Sequence, residues 1–404
     1  MWNRNHNQSE RKVMIGGILV LIIAMGIGRF AFTPIVPQMM EQGFIGEKEA
    51  GTLASANYLG YLAGSLIAAF YPPSRRRLFA IKSWLLVSVA TTALVAAVES
   101  IPIWHVLRFV SGAASAFLFI YASSLVMDVW SLKKRASAAV SSLYTGVGLG
   151  ITLAGLAVPF LYAAFGWKGS WWGLGVISLP GVALAWRWLR DVPAERTETA
   201  PSSPASLPAG RRYDLRQGWD GRLLAAYGLE GLGYIVTGTF LVAYAGRLPE
   251  AAAISSWSWV AVGLAAVPSG WVWSYAAERL GFRYALAAAL AVQSIGIVLP
   301  VAFPTPAGVI GSAVLFGGTF IGIVTLAVSW GRALNPQRSG RTVGLLTAAY
   351  GTGQFIGPGA AGWLIAEAGE YATALFGAAC IVAAGMLFLL APLKERKSKQ
   401  FLKG

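Results

Sequence analysis

Arg29, Arg108 and Glu230 are ionisable groups set inside apolar sequence. Val13 to Met40 reads VMIGGILVLIIAMGIGRFAFTPIVPQMM, and Arg29 is its one charged residue. A charge at the centre of a hydrocarbon layer costs roughly 2.5–3.5 kcal/mol on insertion scales, so it implies a protein-lined, polar interior. Gly26, Arg29 and Thr33 share one helical face. Such an arginine either meets an anion in a cavity or clamps the carbonyls of a neighbouring helix. Arg108 lies in IWHVLRFVSGAASAF, on a stripe with His105, Gly112 and Ser115. It sits near a membrane interface, where an arginine can also snorkel. Glu230 lies in YGLEGLGYIVTGTF, with Tyr227, Tyr234 and Thr237 on its stripe. A buried carboxyl holds its proton until a cation approaches, which is what a proton-coupled cycle needs. Its structural alternative is a salt bridge to an arginine of the other half of the chain. His105, beside Arg108, is the next candidate for proton coupling.

Polar and aromatic side chains recur at helical spacing in other apolar runs. Asn57, Tyr58 and Tyr61 fall in one, Tyr144 with Ser141 and Thr152 in a second, and Tyr350 with Gln354 in a third. Arg29, Asn57, Tyr58, Tyr61, Arg108, Tyr144, Tyr234, Tyr350 and Gln354 form the expected substrate-binding set. Trp257, Trp259 and Trp330 stand at run ends and read as an interfacial belt.

The elements that must carry these residues are long and apolar. Of the 404 residues 56% are hydrophobic and 12% charged, which excludes a disordered chain and argues against a soluble enzyme. Twelve runs have the length of a membrane crossing: about 13–37, 46–71, 79–98, 101–127, 136–162, 170–189, 222–245, 252–275, 284–301, 306–331, 341–366 and 371–391. The net charge of +15 does not indicate nucleic acid. Of the 32 Lys and Arg, only Lys48, Lys168 and Arg247 fall in the loops expected outside, and Arg29 and Arg108 lie within runs. Glu41, Glu47, Glu49, Glu99, Glu250, Glu367 and Glu370 all fall in those outer loops. This is the positive-inside bias, and it predicts both termini cytoplasmic; the membrane expected is the inner (plasma) membrane. The first run is too long for a signal peptide and reads as a retained helix.

Arg190 to Asp220 is rich in Pro, Ser, Ala and charge, the composition of a flexible linker. It predicts an N-terminal six-helix bundle over 1–190, a cytoplasmic linker over 191–219 and a C-terminal six-helix bundle over 220–404. The halves echo each other: Tyr144-Thr-Gly-Val-Gly148 recurs as Tyr350-Gly-Thr-Gly353, and DVWSLKKRAS has its counterpart in SWGRALNPQRSGR. Six plus six with a parallel repeat is the pattern of a large group of secondary transporters. Cys380 is the single cysteine and there are two histidines, so no cofactor and no metal site is expected. No phosphate-binding loop, dinucleotide fingerprint, HExxH or nucleophile elbow is present.

Over essentially its whole length the chain resembles the major facilitator superfamily. The segment Leu107-Arg108-Phe-Val-Ser-Gly112 resembles that superfamily's RxxxG motif, whose arginine is associated with proton coupling in several branches. The basic turn Tyr71-Pro-Pro-Ser-Arg75-Arg-Arg77 keeps the basic part of a family motif and lacks its acid. The Gly-Pro step of antiporters is absent from 136–162 and occurs as Gly357-Pro358 in 341–366. GIGRFAFTPIVPQM and Leu229-Glu-Gly-Leu-Gly-Tyr-Ile235 resemble the YbfB/YjiJ branch. The resemblance implies an all-α membrane protein of twelve transmembrane helices in two bundles related by a pseudo-two-fold. It implies a secondary transporter working by alternating access, with lipid, protons and a small-molecule substrate as partners. The cargo is read from the charges instead: two arginines against one glutamate leave the interior net positive if all ionise, which favours a small organic anion. A proton-driven drug or metabolite exporter is the alternative. A non-transporting receptor or scaffold is the alternative of another class. The orientation is tested by single cysteines in a Cys380→Ala background. Ser203→Cys should react only from the cytoplasmic face and Lys168→Cys only from outside, and equal labelling in intact cells would contradict the six-plus-six arrangement.

Overall fold

The computed structural model describes residues 2–70, 76–131, 136–190, 221–336 and 339–391. The predicted linker, residues 71–75 of the basic turn and the last residues of the chain lie outside them. The described residues form helices, with no strand among them: α1 Trp2–Leu21, α2 Phe32–Glu41, α3 Glu47–Phe70, α4 Arg77–Leu94, α5 Ile101–Ser131, α6 Ala136–Trp188, α7 Gly221–Arg247, α8 Ser255–Leu280, α9 Phe282–Ala302, α10 Pro306–Leu334, α11 Ser339–Ala368 and α12 Tyr371–Leu390.

Nine stretches among the described residues are long and apolar enough to cross a membrane, where the sequence reading expects twelve. Two physical reasons account for the difference. α3 and α11 fall outside the nine because glycine and polar residues dilute their hydropathy, and these two helices pack on each other. α6 runs on without a formal break, yet Gly166 has φ 68° and ψ −172° in its middle. Beyond that glycine the chain turns back, since Gly173 lies against Leu161. Only glycine takes a positive φ there without strain.

Packing pairs repeat across the molecule. α3 lies along α5, and α8 along α10; α3 also meets α11, and α8 meets α6. Small residues make these approaches. A Cβ on Gly60 would stand 1.9 Å from the Phe109 carbonyl oxygen, and one on Gly112 would stand 1.9 Å from that of Asn57. The α6–α8 seam is as close, with Gly263 against the backbone of Gly148 and Thr152.

The first apolar run is a broken helix. Ile22–Ile27 is a π-helix, and Gly28 to Ala31 form a turn before α2 begins. Wide turns of this kind leave carbonyls without an intrahelical partner. Pro34 adds to the break, because it has no N–H for the carbonyl four residues earlier. The break therefore falls about one turn before Pro34 and Pro37, at Arg29 itself.

One end of the bundle, the upper end, carries the turns 42–46, 166 and 248–254. There Glu47 of α3 forms an ion pair with Arg247 of α7, and the Arg247 guanidinium lies 4.8 Å from the Tyr371 ring centre. Just below, Ser55 Oγ donates to the Phe355 carbonyl at 2.6 Å and accepts from Gly359 N at 3.0 Å. Thr33 Oγ1 donates to the Gly238 carbonyl. Among the described residues, these ties between 2–190 and 221–391 run from mid-depth upward.

Candidate functional site

The break in the first run delivers Arg29 to the middle of the bundle, where it is 3% exposed. Tyr58 and Tyr61 of α3 and Phe30 put their rings beside its guanidinium, with centres at 4.7, 3.9 and 5.3 Å. Tyr234 of α7 and Tyr350 of α11 are also within electrostatic reach. Its Nη2 donates to Gln354 Oε1 of α11 at 3.0 Å, and Gln354 Nε2 donates to the Tyr234 hydroxyl. Neither Arg29 nor Arg108 nor Glu230 belongs to an ion pair among the described residues.

Aromatic rings continue from this point. Tyr227 stacks on Tyr350 at 4.4 Å, Tyr350 on Tyr234 at 5.6 Å, and Tyr234 on Phe316 and Phe320 at 6.0 and 6.3 Å. Tyr144 of α6 stacks on Phe119 at 4.8 Å and neighbours Tyr61. Arg29, Tyr58, Tyr61, Tyr144, Tyr234, Tyr350 and Gln354, distant in sequence, are thus brought together at one level. A buried guanidinium faced by phenol rings and amides can hold a carboxylate or phosphate oxygen on its edge.

Three other expected site residues are held in helix packing. Arg108 donates from Nη1 to the Gly28 carbonyl at 3.2 Å and from Nη2 to the Arg29 carbonyl at 3.3 Å. Ser111 Oγ donates to the same Gly28 carbonyl at 2.9 Å. The carbonyl clamp entertained for Arg29 is therefore found at Arg108, which also lies over Phe32 and Trp171. It is fully enclosed and does not snorkel. Asn57 donates to the Arg108 carbonyl at 2.9 Å, locking α3 to α5 at the Gly60–Gly112 crossing. His105 shares hydrogen bonds with the Ile101 carbonyl and Thr52 Oγ1, at 2.8 and 3.0 Å, toward the upper end.

Glu230 is wholly buried, and its neighbour is an amide, Gln293 of α9. Both carboxyl oxygens, both Gln293 amide atoms and Thr237 Oγ1 are buried without a hydrogen bond of good geometry. The arginine envisaged beside Glu230 is not there in this conformation; Tyr234 lies within electrostatic reach of both groups. Gln293 is missing from the sequence reading, although a lone amide in the run ALAAALAVQSIGIVLP carries the same signal of depth as Glu230. Phe316 and Phe320 are missing too, because phenylalanine in an apolar run has no signature of its own. Trp257 is exposed as a belt residue should be, whereas Trp259 is 1% exposed and belongs to the interior.

Residues 21–390 match the family described as the uncharacterised MFS-type transporter YbfB. The chain belongs to this family. It is a multi-pass membrane transporter of the major facilitator type. Over 192 residues it is 27% identical to a chloramphenicol resistance protein of Streptomyces lividans, a match spanning about half of each chain, 47% in both. A mutant form of the nucleoside transporter NupG superposes with a TM-score of 0.72 over 95% of this chain and 99% of its own, at 12% identity. That likeness concerns the fold alone. Arg108 holds the break in place by two bonds from one charged group, each worth about 1.5–3 kcal/mol. Arg108→Gln should therefore lower thermal stability in detergent markedly, and Arg108→Lys should restore it only in part, because a point charge does not span two carbonyls. Unchanged melting of Arg108→Gln would contradict the clamp.

Proposed function

We propose that this protein is a proton-coupled secondary transporter of small organic anions, working by alternating access of two six-helix halves with twelve crossings in all. The observation that carries the reading is Arg29: a central, buried cation whose described neighbours are rings and an amide, contacted from both halves. Cation–π contacts are worth about 2 kcal/mol each when desolvated, so the rings can hold the charge without a carboxylate. An anionic cargo then supplies the missing counter-charge. The close seams and the Glu47–Arg247 pair at the upper end fit a state closed toward the outside, with both termini at the cytoplasmic face. The plasma membrane is the compartment that this orientation implies.

Glu230 is the proton carrier in this reading. It lies behind the tyrosine column, and the proton is the counter-ion at hand for a carboxylate that has lost water and has no cation beside it. Rocking of one half against the other changes its distance from Arg29 and with it the tendency to release that proton. Arg108 acts on transport through the position of Arg29.

A second reading, export of neutral or amphipathic aromatic compounds, has its own observation in the stacked rings Tyr227, Tyr350, Tyr234, Phe316 and Phe320. The chloramphenicol resistance relative agrees with it. Uptake of radiolabelled small carboxylates and their neutral amides into proteoliposomes separates the two. Arg29→Ala should abolish carboxylate flux in a protein that still inserts and melts cooperatively. Glu230→Gln should lose uphill uptake on a pH gradient and keep exchange at equal concentrations. Wild-type flux in Arg29→Ala, or full gradient-driven accumulation in Glu230→Gln, would contradict the respective role. Flux of amides in preference to carboxylates would favour the second reading, and absence of any flux would favour a receptor.

A further inference from the structure

The guanidinium of Arg29 is a flat fork with two kinds of surface. Its Cζ lies over rings, 3.9 Å from the Tyr61 centre and 4.7 Å from that of Tyr58, and the hydroxyls of both tyrosines are within its reach. Its edge is the part that recognises carboxylates, through two parallel N–H bonds from Nε and the adjacent Nη2. On that edge Nη2 donates to Gln354 Oε1 at 3.0 Å, while Nε is buried and meets no acceptor. An amide oxygen thus occupies one of the two acceptor positions that a carboxylate would fill. The same amide donates onward to the Tyr234 hydroxyl. A single side chain therefore joins Arg29 of the broken first run to α7 and α11.

A bond from guanidinium to an amide oxygen is charge-assisted on one side only. A bidentate carboxylate has charge on both sides and uses both donors, and it wins the edge. We propose that Gln354 is a resident stand-in for the substrate's carboxylate. A bound organic anion displaces it from Arg29, and loading the site thereby releases the tie between the first run and α11. The inference rests on the anion reading of the site. Gln354 then has two effects. It weakens cargo binding, because the competent edge is partly occupied. It also makes the contact between the halves depend on whether cargo is present.

The test uses the purified full chain with radiolabelled benzoate as probe and benzamide as its neutral isostere. Gln354→Leu keeps bulk and removes the acceptor, and benzoate should bind roughly 5–10-fold more tightly, the competitor's share of the edge being removed. Gln354→Glu places a permanent carboxylate on the edge, and benzoate binding should fall by about 100-fold, as for loss of a charge-assisted pair. Without any ligand, Gln354→Glu should raise the melting temperature, and the gain should vanish in an Arg29→Gln background. Weaker benzoate binding in Gln354→Leu, or retained binding in Gln354→Glu, overturns the stand-in and leaves the anion reading intact. Benzoate binding that Arg29→Gln does not change, or that benzamide equals, overturns the anion reading itself. If benzoate binds no variant, the anion reading falls for this probe class and the ligand-free melting decides: no Arg29-dependent gain in Gln354→Glu overturns the stand-in as well.

Discussion

A guanidinium ion buried at the centre of an apolar bundle must be compensated, and most of the structure around it can be understood as that compensation. Insertion scales put the cost of the charge at roughly 2.5–3.5 kcal/mol. Two desolvated ring contacts of about 2 kcal/mol each offset it. Tyr58 and Tyr61 supply those contacts, and Gln354 accepts a hydrogen bond from the side chain. This solution stabilises the charge without neutralising it. A carboxylate in the wall would have cancelled the field, and the site would then have nothing to offer an anion.

Positioning that guanidinium requires a helix that does not run straight. The π-helix and the following turn free two carbonyls, and Arg108 with Ser111 satisfies them. Arg108 in turn depends on α5 lying close to α3, where Gly60 and Gly112 let backbones touch and Asn57 closes the crossing. The two arginines thus differ in role because of the break. One gives its donors to backbone and fixes geometry; the other gives Nη2 to an amide and leaves Nε without an acceptor. Gln354 belongs to the second group, since an amide is a partner that a stronger acceptor can replace.

Depth was the most legible quantity in the sequence. A charge or amide in a long apolar run has to be inside, and this logic located Arg29, Glu230, Tyr234, Tyr350 and Gln354 in one region. Direction around the helix was less legible. Asn57 is one residue from Tyr58, and that single step turns it from the site toward the α5 backbone. Arg108 and Arg29 look alike in one dimension, because the carbonyls that distinguish them are exposed by a π-bulge that side-chain periodicity does not encode. The Glu230–Gln293 pairing was hidden for the same reason: which helix of the second half faces Glu230 is a property of packing. The boundaries of spans show the opposite limit. Hydropathy merges with packing at α3 and α11, whose polar content is tolerable because they cover each other.

In the proposed cycle the cargo's negative charge takes the Arg29 edge. An experimental structure of the protein with a bound carboxylate tests it most directly. The expected structure has a carboxylate oxygen within hydrogen-bond distance of Arg29 Nε, with the Gln354 amide turned away toward Tyr234. A ligand seated elsewhere, with the Arg29–Gln354 bond intact, would contradict it.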